Sequence, residues 1–151
     1  GSFSEDVIIP YGGTKQPITK EVLEKGLVRF DVPDPKGMKQ RLDQKSLEYF
    51  LFVIRQALAK SGYHEKDIDY LALLHMKRSA HQYILHELGL SEEHSIYLEE
   101  YGHIGQIDQI LSLELAAQAG KLKPGDIVVL VSAGIGYAWG ASVIRWGTVT
   151  D

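Results

Sequence analysis

The sequence contains no cysteine among its 151 residues. This absence excludes a disulfide framework, a thiolate zinc site and, within this chain, a cysteine nucleophile. Long apolar runs are also missing, because the longest stretches fall far short of the roughly 20 residues that a membrane-spanning helix needs. We find no basic, apolar stretch of the secretory type. We therefore expect a cytoplasmic protein without a membrane partner.

Clustered basic residues are absent as well. The chain has 16 Lys and Arg against 20 Asp and Glu, interspersed, for a formal net charge of -4. Nucleic-acid phosphates require a concentrated basic face, so we expect no nucleic-acid partner. Apolar residues make up 44% of the chain, which is enough for one core at this length. Gly1 and Ser2 resemble the scar of a cleaved expression tag.

Helical and strand patterns alternate along most of the chain. From residue 46 the order is helix, strand, helix, strand, helix, strand, strand, which indicates a mixed sheet covered by helices. The helix at 105–119 has few polar positions and is predicted to be mostly buried. The full set comprises a short helix between Thr19 and Gly26, helices at 46–60, 79–88 and 105–119, and strands at 27–33, 68–74, 94–100, 127–133 and 139–146.

Polar features follow the predicted strands at three places. His75 follows "LALL", His103 lies in "YGHIGQ" ahead of a helix, and a glycine-rich loop spans 133–140. Sites in α/β proteins gather at such positions. Imidazoles transfer protons near neutral pH and donate to developing oxyanions. Each histidine also has a structural interpretation, in which His103 caps a helix and its flanking glycines serve tight turns.

The other histidines give no site pattern. His64, His81, His86 and His94 lie in surface-like contexts and receive no role. His81 and His86 are five residues apart, so they do not share a helix face as an i, i+4 metal pair would, and no acidic residue follows at zinc-site spacing. We therefore predict no metal site.

The loop "AGIGYAWG" contains Gly134 and Gly136 in a G-x-G pattern. A dinucleotide fingerprint needs a helix after its glycines, whereas this loop enters a strand, so a Rossmann interpretation fails. Glycines between strands instead allow close approach of the backbone to another segment, or to a ligand carbonyl that an amide polarises. Both interpretations stay open on this pattern alone.

From about residue 27 to residue 146 the chain resembles the C-terminal half of a β-ketoacyl-acyl-carrier-protein synthase III, a condensing enzyme of the thiolase superfamily. The similarity rests on "RFDVP", "IDYLALLHMKR", "YGHIGQIDQILSLELAAQAGKLKPGD" and "IVVLVSAGIGYAWGASVIRW", which occur in the family's order. It implies an α/β fold that is one half of a thiolase-like fold, with a mixed, mainly five-stranded sheet covered by helices. Residues 3–26 would then be a connecting segment and 27–151 the half-domain.

The resemblance also implies residue roles. The family condenses an acyl thioester with malonyl-ACP by a Cys-His-Asn triad, and His75 matches its histidine. His103 stands where the family has the triad asparagine, and Arg78 stands where a second asparagine meets the pantetheine arm. Gly136 matches the glycine whose amide completes the oxyanion hole, and Gly134 is expected beside the substrate. Other condensing enzymes of the superfamily resemble a Cys-His-His arrangement in which both imidazoles donate to the thioester carbonyl, so the exchange at position 103 is compatible with condensation. The exchange also implies a divergent branch, with a different acceptor or acyl transfer without decarboxylation.

The family's nucleophilic cysteine belongs to the N-terminal half, so the resemblance implies a partner half that carries it and an inactive chain in its absence. Whether the chain is a cloned domain, a proteolytic remnant or one part of a split enzyme stays open. We expect no tightly bound cofactor, a CoA or phosphopantetheine thioester as substrate, and an acyl carrier protein or acyl-CoA as partner in fatty-acid or polyketide biosynthesis. Because an isolated half exposes an apolar helix, a homodimer is expected. The alternative is an inactive thiolase-like domain for assembly or ligand binding.

Overall fold

The computed structural model describes residues 4–134 and 136–147. The chain forms two compact units, Gly1–Gln44 with Gly134–Ala138 and Lys45–Ala133 with Trp139–Asp151. The helices are α1 (Lys20–Glu24), α2 (Pro35–Lys60), α3 (Arg78–Glu87) and α4 (Asp108–Gln118), and the strands are β1 (Tyr70–Leu73), β2 (Ile127–Gly134) and β3 (Ala138–Arg145). Two 3-10 turns lie at Glu65–Asp67 and Glu92–His94.

The first unit contains α1, and its ends follow the sequence prediction. The Thr19 side chain accepts a hydrogen bond from the Val22 amide at 3.3 Å, which satisfies one of the free N–H groups of the first turn. Gly26 follows the last turn with φ +61°, a conformation that favours glycine. The predicted cap and stop of this helix are confirmed.

Helix α2 begins eleven residues before the predicted start at residue 46. The Oδ1 atom of Asp34 accepts a hydrogen bond from the Gly37 amide at 2.9 Å, so Asp34 caps the helix. Pro35 is the first helical residue, where a missing N–H costs nothing. The sequence pattern indicates that this Asp-Pro pair ends a strand, whereas in the structure it starts a helix.

The sheet of the second unit has the order β1-β2-β3. Strands β1 and β2 are parallel, with Tyr70 opposite Val128 and Leu73 opposite Val131. The amide of Gly125 donates to the Trp146 carbonyl at 2.7 Å, immediately before β2 and after β3. Strands β2 and β3 therefore run antiparallel, and the sheet is mixed as predicted.

Helices cover both faces of the parallel pair. Leu71 and Val129 belong to the cluster formed with α2 and α3. Tyr70 and Val128 point to the opposite face, where they pack against Leu113 of α4. Because both faces of β1 are buried, its four residues are all apolar apart from the tyrosine hydroxyl.

The sheet has three strands among the described residues rather than the expected five. Residues 27–33 form one isolated bridge between Ile8 and Asp31, and Val28 and Phe30 remain 42% and 63% exposed. Their alternation therefore does not mark a buried strand face. At 94–100 the predicted strand is also wrong, since this segment meets β1 through a side chain, with Ser95 Oγ donating to the Leu71 carbonyl at 2.7 Å.

Helix α4 differs from the prediction that it is mostly buried. Ile107, immediately before the helix, and Ile110, within it, are 57% and 58% exposed, whereas Asp108, Gln109 and Ser112 are buried. The three polar side chains therefore face the sheet beside Leu113, whereas Ile107 and Ile110 face outward. Of the helices within residues 4–134 and 136–147, none is long and apolar enough to cross a membrane.

Candidate active site

His75 lies two residues beyond β1, at the carboxyl end of the parallel strands. Its backbone N–H donates to the Oδ2 atom of Asp108 at 2.9 Å. Its ring lies 4.8 Å, centroid to centroid, from the ring of Tyr97. The Nδ1 atom is buried and finds no hydrogen-bond partner among the described residues. The backbone of His75 is thus fixed by a carboxyl group and its ring by an aromatic neighbour.

His103 lies in the loop that leads into α4. Gly102 and Gly105 on either side have φ of +68° and +88°, which a side chain would strain, so the loop turns sharply around the histidine. The Nδ1 atom of His103 lies 2.7 Å from Asp108 Oδ2. The His103 side chain is 55% exposed, whereas that of Asp108 is fully buried. The ring of His103 is therefore exposed to solvent, while one of its nitrogens is held by the buried carboxyl group of Asp108.

Asp108 connects the two histidines, and sequence reasoning missed it. Its Oδ2 atom contacts both the His75 amide and the His103 ring, and its Oδ1 atom accepts from the Ile104 amide at 2.9 Å. Three donors converge on one buried carboxyl group, which satisfies its hydrogen-bonding capacity. An acidic residue five positions after His103, in the first turn of an apolar helix, was the available signal.

Two more buried polar residues of α4 bond to the sheet. Gln109 Nε2 donates to the Val131 carbonyl at 2.7 Å. The Ser112 hydroxyl lies 2.8 Å from the Tyr70 hydroxyl. Burial, partly offset by this hydrogen bond, raises the pKa of Tyr70 to about 12, so its hydroxyl stays protonated. These bonds fix the position of α4, and with it Asp108, relative to β1 and β2.

Arg78 lies at the start of α3 beside Tyr97. Its guanidinium carbon is 4.2 Å from the centre of the Tyr97 ring, and its Nη2 atom donates to Glu99 at 2.5 Å. The Tyr97 hydroxyl donates to the Met76 carbonyl at 3.0 Å, which holds the ring in place. Since Tyr97 also contacts His75, the structure brings Arg78 and His75 to one aromatic ring.

His81 is buried, so the surface-like context assigned to it was wrong. It is 3% exposed, and its ring meets Tyr97 edge-on with centroids 5.4 Å apart. Desolvation lowers the pKa of His81 to about 4, so it is neutral at physiological pH. In the part of the chain that the structure describes, no group of three or more His, Asp and Glu is placed to hold a metal ion.

Gly134 and Gly136 belong to the other compact unit, at the turn between β2 and β3. The Gly134 carbonyl accepts from the Tyr137 amide at 3.0 Å. Gly136 has φ +86°, and Tyr137 has φ +58°, a conformation uncommon for residues other than glycine. The predicted oxyanion role of Gly136 and substrate role of Gly134 stay predictions.

Comparison with solved structures defines the class of this fold. The β-ketoacyl-[acyl carrier protein] synthase III of Thermus thermophilus superposes with a TM-score of 0.76 at 22% sequence identity, over 97% of this chain and 43% of that one. The helices and strands of this chain are thus arranged as in the matching part of that structure. This confirms the fold class expected from the resemblance.

Comparison of the sequence with known families identifies the family of this chain. The family model described as 3-oxoacyl-[acyl-carrier-protein (ACP)] synthase III C terminal matches residues 58–146. The chain belongs to this family. Its relatives include the synthase III of Clostridioides difficile, 28% identical over 97% of this chain and 43% of that protein, and that of Symbiobacterium thermophilum, 30% identical over 91% and 41%. The chain spans about two fifths of the length of these relatives.

Proposed function

We propose that this chain is the C-terminal half of a thioester-dependent acyltransferase of the synthase III type. It binds a CoA or phosphopantetheine thioester without a tightly bound cofactor, and transfers the acyl group to malonyl-ACP by condensation or to a related acceptor, in fatty-acid or polyketide biosynthesis. An N-terminal half supplies the cysteine nucleophile, on the same longer polypeptide or on a second one. The cytoplasmic location expected from the sequence is part of this proposal.

The observation that carries the proposal is the shared carboxyl group of Asp108. His75 and His103, which match the family's two reacting residues, are separated by 28 positions in sequence. The backbone N–H of His75 and the ring Nδ1 of His103 each lie within 3 Å of the same oxygen atom. A structural capping role for His103 does not by itself explain why this oxygen also holds His75. Two histidines anchored together at the carboxyl end of parallel strands suit proton transfer and carbonyl polarisation.

Acyl-enzyme formation tests the proposal. The full-length protein, with both halves, is mixed with a panel of acyl-CoAs and measured by intact-mass spectrometry. We expect one covalent acyl group per active site, located on a cysteine of the N-terminal half. In the same protein, His75→Ala and His103→Ala should each abolish overall turnover, because each removes an imidazole that faces the thioester. Near-normal turnover in either variant would remove that residue from the mechanism.

The second candidate is an inactive thiolase-like domain that serves assembly or ligand binding. The departures from the family's motifs at His103 and Arg78 are the observation that favours it. The acylation experiment separates the two functions, because an inactive domain gains no mass from any acyl-CoA even when both halves are present. Failure of every acyl-CoA to modify the full-length protein would therefore support this second candidate.

A further inference from the structure

The hydrogen bond between His103 and Asp108 decides which ring nitrogen of His103 is available for chemistry. A carboxylate can only accept hydrogen bonds, and Asp108 Oδ2 lies 2.7 Å from Nδ1 of His103. Nδ1 must then carry the proton. In a neutral imidazole the second nitrogen, Nε2, is left with a free lone pair. The His103 side chain is 55% exposed, so the ring is open to solvent.

This tautomer makes His103 chemically different from the asparagine found at the matching position. An asparagine amide donates a hydrogen bond to a substrate carbonyl through its NH2 group, whereas the neutral His103 ring offers an acceptor at Nε2. A histidine oriented by a buried carboxylate is the arrangement that enzymes use for proton abstraction. Histidine in place of asparagine at position 103 therefore replaces a hydrogen-bond donor by a group that can accept a proton.

Building on the proposed function, we propose that Asp108 is a positioning residue that holds His103 with a free Nε2 lone pair, and that His103 acts as general base toward a protic acceptor of the acyl group. The acceptor is an alcohol, amine or thiol, written X–H. The reaction is then acyl transfer to a heteroatom, with no loss of carbon dioxide.

The step balances without a further reactant. Nε2 of His103 takes the proton as the X–H bond breaks, and X forms a bond to the carbonyl carbon of the acyl thioester. The C–S bond then breaks, and the departing thiolate recovers the proton from Nε2. His103 returns to its starting state, and no oxidation or reduction occurs.

His75 provides the contrast within the same site. The described residues place no hydrogen-bond acceptor against its buried Nδ1 atom, and its ring packs on Tyr97. Only its backbone amide bonds to Asp108. The carboxyl group therefore orients one imidazole and leaves the other to polarise the thioester carbonyl, which gives the two histidines different roles.

Nuclear magnetic resonance of ¹⁵N-labelled histidine tests the tautomer directly in the 151-residue chain. Between pH 6 and pH 9 the neutral form of His103 should show a protonated Nδ1 and an unprotonated Nε2. Asp108→Asn replaces the acceptor by an amide that can donate, so the proton should move to Nε2, while Asp126→Asn serves as the matched control at an exposed turn. A wild-type ring protonated at Nε2 overturns the proposal, whether or not the Asp108 variant folds.

The acceptor is tested in the full-length protein after acylation. The acyl-enzyme is offered alcohols, amines, thiols and a malonyl thioester, and both product and carbon dioxide are measured. We expect transfer to a protic acceptor without carbon dioxide, and Asp108→Asn should slow this step roughly 10- to 100-fold. His103→Asn should also lose the transfer.

The outcomes separate this inference from the proposed function. If the acyl-enzyme forms but reacts only with the malonyl thioester and releases carbon dioxide, the inference is overturned and the proposed function stands. Equal transfer rates in Asp108→Asn and Asp126→Asn also overturn it. If no acyl-enzyme forms, the proposed function fails and the transfer step fails with it.

Discussion

At the scale of single residues, the ring of Tyr97 organises three side chains. It contacts His75, His81 and Arg78, and its own hydroxyl is held by the Met76 carbonyl. A cation over an aromatic face is stabilised by the ring's electron distribution, and the flat guanidinium of arginine suits this stacking. Arg78 is therefore held at a fixed place beside the end of β1.

Arg78 is predicted to bind a phosphate group of the acyl-CoA or phosphopantetheine substrate. One of its five N–H donors bonds to Glu99, and its side chain is 43% exposed, so other donors can meet a phosphate. In the full-length protein, Arg78→Ala should raise KM for acyl-CoA about tenfold and leave kcat within about twofold. Steady-state kinetics measure this, with the neighbouring Lys77→Ala as control. A lower kcat at unchanged KM would contradict a binding role.

The residues of the site differ in how far the sequence revealed them. His75 follows a predicted strand and matches the family motif in residue type, whereas His103 was found by its place in the motif, where the family has asparagine. Asp108 stood among apolar residues of a helix, and its role depends on a hydrogen bond to a strand end 33 residues earlier. His81 stood in a polar stretch, and its burial follows from tertiary packing that helical spacing did not reveal.

At the scale of elements, α4 buries polar groups beside Leu113 and exposes large apolar ones. Its sheet-facing side carries polar groups bonded to β1 and β2, and its outer side, with the loop before it, carries Ile104, Ile107 and Ile110. We name these three the isoleucine ridge. They are 41%, 57% and 58% exposed. A ridge of large apolar residues at three-residue spacing is typical of a contact surface.

The isoleucine ridge is predicted to cause self-association of the 151-residue chain, with a second copy taking the place of the N-terminal half. Ile107→Asp together with Ile110→Asp should shift the chain to monomer, because each buries a charge in the contact. Leu23→Asp changes an equally exposed residue of α1 and should leave the association unchanged. Sedimentation velocity at micromolar concentration measures the state. A wild-type chain that is a monodisperse monomer would contradict the prediction.

The residue pattern within each segment predicted most helices and the strands of the sheet. It did not predict which strand-like segments form hydrogen bonds with a neighbouring strand. The cap at Thr19 and the parallel pair β1 and β2 follow from residues that act on their own neighbours or are apolar throughout. Residues 94–100 have a strand-like composition, yet Ser95 uses its hydroxyl on β1 and the ladder does not form. Pairing depends on what lies alongside a segment, which a periodicity within the segment cannot show.

At the scale of the whole molecule, a buried neutral histidine makes stability depend on pH. The unfolded chain protonates histidine near pH 6.5, whereas burial lowers the folded pKa of His81 to about 4. Nearby Arg78 and His75 lower it further, and Glu92 opposes them. Because the unfolded state binds the proton first, stability is present above pH 6.5 and is lost as the pH falls toward 4.

Replacing His81 should remove this dependence. Between pH 7 and pH 4 the wild-type chain should lose about 3 kcal/mol more unfolding free energy than His81→Gln, from roughly 2.5 pKa units at about 1.36 kcal/mol each. Denaturant unfolding at each pH measures the difference. His86→Gln, on the exposed side of the same helix, is the matched control and should follow the wild type. Parallel curves for wild type and His81→Gln would contradict the burial argument.

The carboxyl group of Asp108 also has a consequence for the history of this chain. A change of asparagine to histidine at position 103 would leave an imidazole without an anchor, and an aspartate at 108 without the histidine would bury a charge with one donor fewer. The histidine and the aspartate therefore support each other. In related sequences, a histidine at this position followed by an acidic residue five places later is therefore predicted to mark the same orienting pair.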